Sequence, residues 1–221
     1  MNAAQLLHLL QFASPALPIG GYSYSQGLEA ALEVGLVHDA DSARTWIAHH
    51  LAEVIARWDA PLLWRLLQAF AADDGAAIVL WSERFLASRD TAEARAETVQ
   101  MGFSLKGLLA ELGVADVAPL GSEPALPAAF ACACTALAIP AHEALLAMLF
   151  GWSENQVLVC VKSVPLGQVA GQRLLLSLRP DLERAALHAM AVSDEDMCNW
   201  TPALSMLSMR HEVQHGRIYR S

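Results

Sequence analysis

The sequence predicts an all-α protein, a single-domain bundle of about eight to ten helices with no significant sheet. Apolar residues recur at helical spacing through most of the 221 residues. Prolines and short polar stretches separate these segments, which indicates short connections. The β-branched run Val157–Val161 would suit a strand, but the chain offers no second run to pair with it, so we predict helix there too.

Taken in order, the helices have recognisable ends. Asp41 or Ser42 caps a helix that runs to about Arg57, and Asp59–Pro61 starts another that reaches Phe70. Further helices are predicted at 74–88, 90–112, 124–137, 140 to about 152, 166–178 and 181–191. Two segments are too irregular for helix: the stretch 14–25, rich in Pro, Gly and Tyr, and the acidic loop 193–201.

The segment 90–112 shows the clearest helical period. Its expected apolar stripe consists of Met101, Leu105, Leu108 and Leu112. Asp90 together with Glu93 resembles a capping box, and Gly113 is the expected stop.

Composition excludes several classes of protein. The formal net charge is −9, which does not fit a general nucleic-acid binder. No run of eighteen apolar residues is present, and no Lys or Arg precedes Arg44, so we expect no membrane span, no signal peptide and a cytoplasmic location. The four cysteines are expected to be free thiols. Because 55% of the residues are hydrophobic and only 17% are charged, we expect part of the surface to contact other proteins.

The last twelve residues, Arg210–Ser221, reverse the charge of the chain. This C-terminal tail contains three arginines and one glutamate. Such local sign reversal favours a docking segment. We therefore predict one domain over 1–221 whose basic tail, 210–221, is mobile until a partner binds.

The tail also contains a literal zinc-peptidase motif, H-E-x-x-H, at 211–215. On a helix, His211 and His215 could bind zinc with Glu212 as general base. The usual downstream ligand is missing, and three arginines would repel a dication. A zinc metallopeptidase is thus the weaker alternative.

Several blocks of sequence together resemble the UreF family of urease accessory proteins. These blocks are Ser14–Glu29, Asp59–Leu63, Ala94–Thr98, Met101–Gly102, Pro165–Gln168, Gly171–Leu175, Ser208–Glu212 and Arg217–Ser221. They occur in the family's order from residue 14 to the last residue. Two departures are Ala96, where the family more often has an acid, and Ile218–Tyr219, where Leu-Phe is commoner.

The resemblance implies an all-helical, homodimeric chaperone of nickel urease with no catalytic residue, no cofactor and no resident metal. Similar proteins bind the accessory protein UreD (also called UreH) and the GTPase UreG. Their assembly acts on the urease apoprotein, where nickel is the cargo. An adaptor role is the leading interpretation; modulation of the UreG GTPase, with Lys162 as a cation in trans, is the alternative.

The resemblance also assigns candidate partner-binding residues. Glu29, Lys162, Gln168 and Gln172 are polar residues in apolar settings, and they match family positions linked to the UreG-facing surface. The residues that match the segment associated with docking on UreD are Arg210, His211, Glu212, Arg217 and Arg220.

Overall fold

The computed structural model describes all 221 residues and confirms an all-α fold. The helices are α1 (Ala3–Phe12), α2 (Leu28–Glu33), α3 (Ala40–His50), α4 (Ala60–Ala71), α5 (Gly75–Ala87), α6 (Ala92–Glu111), α7 (Leu126–Ala136), α8 (Ala141–Ser163), α9 (Gln168–Ser177), α10 (Arg179–Ala191) and α11 (Pro202–Glu212). A π-helical segment, Leu51–Asp59, joins α3 to α4, so these two form one continuous helix and the bundle has ten. No strand is present.

The centre of the bundle is α7, which is buried from Pro127 to Cys134. It packs against α4 on one side and α6 on the other. A second apolar cluster lies beside it, formed by α2, α3, the end of α8 and α9. Tyr219 of the C-terminal tail belongs to this second cluster, so the tail is part of the core.

The predicted break at Asp59 is wrong, because the chain continues as helix from Ala40 to Ala71. Asp59 has helical backbone angles and caps nothing. Pro61 has no N–H to donate to the carbonyl of Arg57, and the backbone N–H of Cys198 donates to that carbonyl instead (3.2 Å). A partner from a distant loop thus satisfies the carbonyl, and the helix can continue from the π-segment through Pro61 into α4.

Several other helix boundaries also differ from the prediction. At the start of the continuous helix from Ala40 to Ala71, Asp39 is the cap, and its carboxylate accepts from the backbone N–H of Ser42 (2.8 Å). The helix predicted to end near Trp152 continues to Ser163 and includes the β-branched run as helix. Burial of Val157 and its neighbours against other helices outweighs their preference for strands.

The cap of helix α6 lies one residue later than predicted, and the helix has a different apolar stripe. Thr91 is its cap and accepts from the backbone N–H of Ala94 (3.1 Å). Leu109 is fully buried, whereas Leu112 is exposed. The buried side therefore follows Met101, Leu105 and Leu109 at four-residue spacing.

Helix α8 is long and apolar enough to cross a membrane by length and composition. In the bundle it packs against α4, α7, α9 and α10, and its polar residues Ser153 and Gln156 are fully buried. These contacts are typical of a core helix.

The cysteines are free, as predicted. Cys132, Cys134 and Cys160 are buried, and burial raises the pKa of the Cys134 thiol to about 12. Thiols of this kind are chemically inert near neutral pH.

Candidate functional site

The end of the chain folds back across the bundle. After α11 ends at Glu212, the backbone turns at Gly216, whose φ of +74° is easily adopted by glycine. The last five residues, Arg217–Ser221, which we call the end segment, then run beside α2 and α6. In this structure the tail is therefore docked on the bundle, and its mobility before a partner binds stays a prediction.

The irregular loop 14–25 forms hydrogen bonds with the final residue. The main-chain oxygen of Ser221 accepts from the backbone N–H groups of Ser25 (2.7 Å) and Gln26 (3.2 Å) and from Ser25 Oγ (2.6 Å). The carbonyl of Ser23 accepts from Arg220 N–H (2.8 Å). Backbone contacts of this kind fix the end segment regardless of its side chains.

Glu29 is the main side-chain partner of the end segment. It lies in the first turn of α2 and is 93% buried. Its carboxylate accepts from the backbone N–H groups of Ile218 (2.6 Å) and Tyr219 (3.0 Å). The same carboxylate lies 2.9 Å from Nε2 of His211. Glu29 therefore joins α2, α11 and the end segment.

His211 is completely buried between two carboxylates. Its Nδ1 lies 2.7 Å from Oε2 of Glu93 on α6, and Nε2 faces Glu29. Arg217 also pairs with Glu93. Glu29, Glu93, His211 and Arg217 thus form one cluster, which we call the four-residue cluster.

The structure places two of the predicted partner-binding residues in the interior of the chain. Glu29 and His211 are both buried and contact each other, and Glu29 also binds the end segment. Their contact with a partner protein stays a prediction. The positions of these two side chains depend on how α11 turns and where α6 lies. No local pattern in the sequence could indicate this arrangement. Both act here by positioning the tail.

The structure also separates the two histidines of the zinc motif. Helix α11 ends at Glu212, so His215 does not follow His211 on one helix face. His215 is exposed, whereas both ring nitrogens of His211 face carboxylates. No group of three or more His, Cys, Asp or Glu residues is arranged to hold a metal ion. The geometry does not favour the peptidase.

Glu97 of α6 is a contact of the end segment that the sequence analysis missed. It is 95% buried, and its carboxylate accepts from Gln26 Nε2 (2.5 Å) and Ser221 Oγ (2.7 Å). Burial raises the pKa of this carboxyl group. The sequence feature that could have indicated its burial is its spacing. Glu97 precedes Met101 and Leu105, on the buried stripe, by four and eight residues.

Lys162, Gln168 and Gln172 lie where α8 turns into α9, and all three are exposed. Nζ of Lys162 is 5.9 Å from the centroid of the Tyr219 ring, a cation–π distance. This corner is rigid because Gly171 packs closely against α8: a Cβ there would lie 2.6 Å from Cγ2 of Val161. The corner is thus a firm polar surface that borders the end segment.

The outer face of α11 and the tail is apolar with charged residues between. The exposed apolar side chains are Trp200, Met206, Met209, Val213 and Ile218. Arg210, Glu212 and Arg220 are exposed on the same elements. Apolar area mixed with arginines is typical of protein interfaces. We call this the tail face.

Comparisons with known proteins agree on one family. A family model described as UreF matches residues 37–179. The chain is 61% identical over the full length of both proteins to the urease accessory protein UreF of Janthinobacterium sp. (strain Marseille). It is 55% identical to the protein of that name from Nitrosospira multiformis and 50% identical to that from Delftia acidovorans, in each case over 98% of this chain and 97% of the relative.

Proposed function

Because the chain belongs to the UreF family of urease accessory proteins, which serve urease maturation, we propose that it is a non-catalytic adaptor that joins UreD to UreG. The assembled proteins act on the urease apoprotein during nickel insertion. The adaptor works as a homodimer in the cytoplasm. It holds its partners in position and forms no covalent bond with a substrate.

The observation that carries the proposal is the construction of the tail face. Glu29, Glu97 and the loop 14–25 fix the tail from within, so its outer side chains are presented without a further ordering cost. The side chain of Arg210 makes no hydrogen bond or ion pair inside the chain, whereas its backbone carbonyl accepts from Val213 N–H (3.3 Å), and its guanidinium is available to pair with a carboxylate of UreD. We assign the tail face to UreD for these reasons.

The corner between α8 and α9 is the proposed UreG surface. Lys162, Gln168 and Gln172 offer exposed donors there, beside the exposed side chains of Val169 and Leu176. The close packing at Gly171 gives this surface a fixed shape. The alternative role, modulation of the UreG GTPase, would use the charge of Lys162, which is accessible at this corner.

Charge reversal on the tail face tests the UreD assignment. We expect Arg210→Glu combined with Arg220→Glu to weaken binding of UreD by at least about tenfold, because two cations that face carboxylates become anions. Binding of UreG is expected to stay unchanged. The affinities are measured by biolayer interferometry with purified proteins.

A second pair of substitutions is the control for that experiment. Gln168→Ala combined with Gln172→Ala changes only exposed side chains of the other surface and is expected to weaken UreG while leaving UreD unaffected. Circular dichroism checks that both variants keep their helices. Equal losses for both partners, or no loss of UreD after charge reversal, would contradict the assignment of the two surfaces.

A further inference from the structure

Trp200 is exposed in a way that the other tryptophans are not. It is 80% exposed, more than any other large apolar residue of the chain, whereas the other five tryptophans are buried or partly buried. An indole ring in water leaves a large apolar area without a protein contact. Because Trp200 lies just before α11, it stands at one end of the tail face.

The backbone on both sides of Trp200 is fixed by hydrogen bonds. Before it, Nδ2 of Asn199 donates to the carbonyl of Ser88 at the end of α5 (2.9 Å). After it, the carbonyl of Thr201 accepts from the N–H of Ser205 in the first turn of α11 (3.1 Å). The ring is therefore displayed from an ordered backbone, which lowers the entropy cost of burying it against a partner.

Helix α11 continues the apolar surface that begins at Trp200. Only two of its eleven residues are buried. Met206, Met209 and Val213 follow at a spacing of three and four residues, and all three are exposed. Residues at this spacing share one side of a helix, so they form a stripe along the outer side of α11. The bundle itself covers little of this helix.

Charged side chains of opposite sign lie at the two ends of the tail face. Glu195 and Asp196 are exposed in the loop that precedes Trp200, and this loop is fastened to α4. Arg210 and Arg220 are exposed at the other end, where α11 is held by α2 and α6. A complementary partner presents cations to the acidic loop and carboxylates to the arginines.

We propose that Trp200 is the main contact of the tail face and that its indole ring fills an apolar pocket of UreD. The pocket has one acceptor for the indole N–H, carboxylates on the side of Arg210 and cations on the side of Glu195. Tryptophan and arginine are enriched among the few residues that supply most of the binding free energy of an interface. This inference rests on the proposed assignment of the tail face to UreD, and it adds the residue that determines the affinity.

The test is the affinity of purified UreD for three variants of the full chain, measured by biolayer interferometry. Trp200→Ala is expected to weaken binding by at least about thirtyfold, the loss typical of a central interface residue, and Trp200→Phe by less because a ring remains. Leu187→Ala is the matched control, since it removes an exposed apolar side chain of α10 outside the tail face. It is expected to bind UreD as the wild type does.

The outcomes separate this inference from the proposed function. Wild-type affinity in Trp200→Ala, or an equal loss in Leu187→Ala, would overturn the inference. The adaptor role would stand in that case if Arg210→Glu combined with Arg220→Glu still weakened binding of UreD. A wild-type chain that did not bind UreD would contradict the proposed function and the inference together. Light scattering tests the other occupant: if Trp200→Ala turned a dimer into a monomer with UreD affinity unchanged, the ring would contact a second copy of the chain and the inference would be wrong.

Discussion

Replacing Gly102 by alanine is expected to destabilise the fold by at least about 3 kcal/mol, the upper range for overpacking a core. A Cβ at this position would lie 2.1 Å from the carbonyl oxygen of Pro124 and 2.9 Å from the backbone nitrogen of Leu126. Both atoms belong to the backbone that leads into α7, so no side chain can move aside. The whole start of the central helix would have to shift.

The same helix provides a matched control. Gly107 lies five residues further along α6, is exposed, and has nothing within 4 Å of an added Cβ. Gly107→Ala is expected to stabilise the protein by about 0.5–1 kcal/mol through helix propensity alone. The free energy of unfolding is measured by guanidinium denaturation followed by circular dichroism. Equal effects of the two substitutions would show that the close contact of α6 with α7 is not present.

Replacing Glu29 by alanine is expected to release the end segment. We expect the free energy that stabilises its docking on the bundle to fall by about 3–5 kcal/mol. The substitution leaves the N–H groups of Ile218 and Tyr219 without their acceptor and removes one of the two carboxylates that face the buried ring of His211. We expect amide protection to disappear at 217–221 while α7 keeps its protection. Hydrogen exchange with mass spectrometry measures both regions in one experiment.

Glu33→Ala is the control for that change. Glu33 lies in the same short helix, is exposed and forms no ion pair, so its loss should leave the tail protected. If Glu29→Ala and Glu33→Ala gave the same protection at 217–221, the buried carboxylate would not be what fixes the tail.

The fold class was predictable because apolar spacing is a local property of the chain. Proline and glycine also located most helix ends within a few residues, and Gly113 does follow α6 with a positive φ of 62°. The same local reasoning failed at Pro61. The carbonyl released there finds its donor at Cys198, more than a hundred residues away.

Local sequence reasoning also failed to predict the conformation of the tail. Its arginines and its charge reversal suggested a mobile docking segment. Its actual conformation depends on Glu29, Glu93 and Glu97, whose distance from the tail is set only by the folded bundle. The position of Glu97 on the buried stripe of α6 was the one local indication that this helix contacts a buried polar group. Glu29 stood out as a polar residue in an apolar setting, but this could not indicate that it binds the tail, because the first turn of a helix commonly carries an acid.

The adaptor role is tested most directly by reconstitution from purified proteins. UreD and UreG are mixed with and without this chain, and the particles are separated by size exclusion with light scattering to give their masses. We expect UreD and UreG to elute in one particle only when the chain is present, with two copies of it in that particle. Co-elution of UreD and UreG without the chain, or elution of the chain by itself in the full mixture, would contradict its role as the protein that joins them.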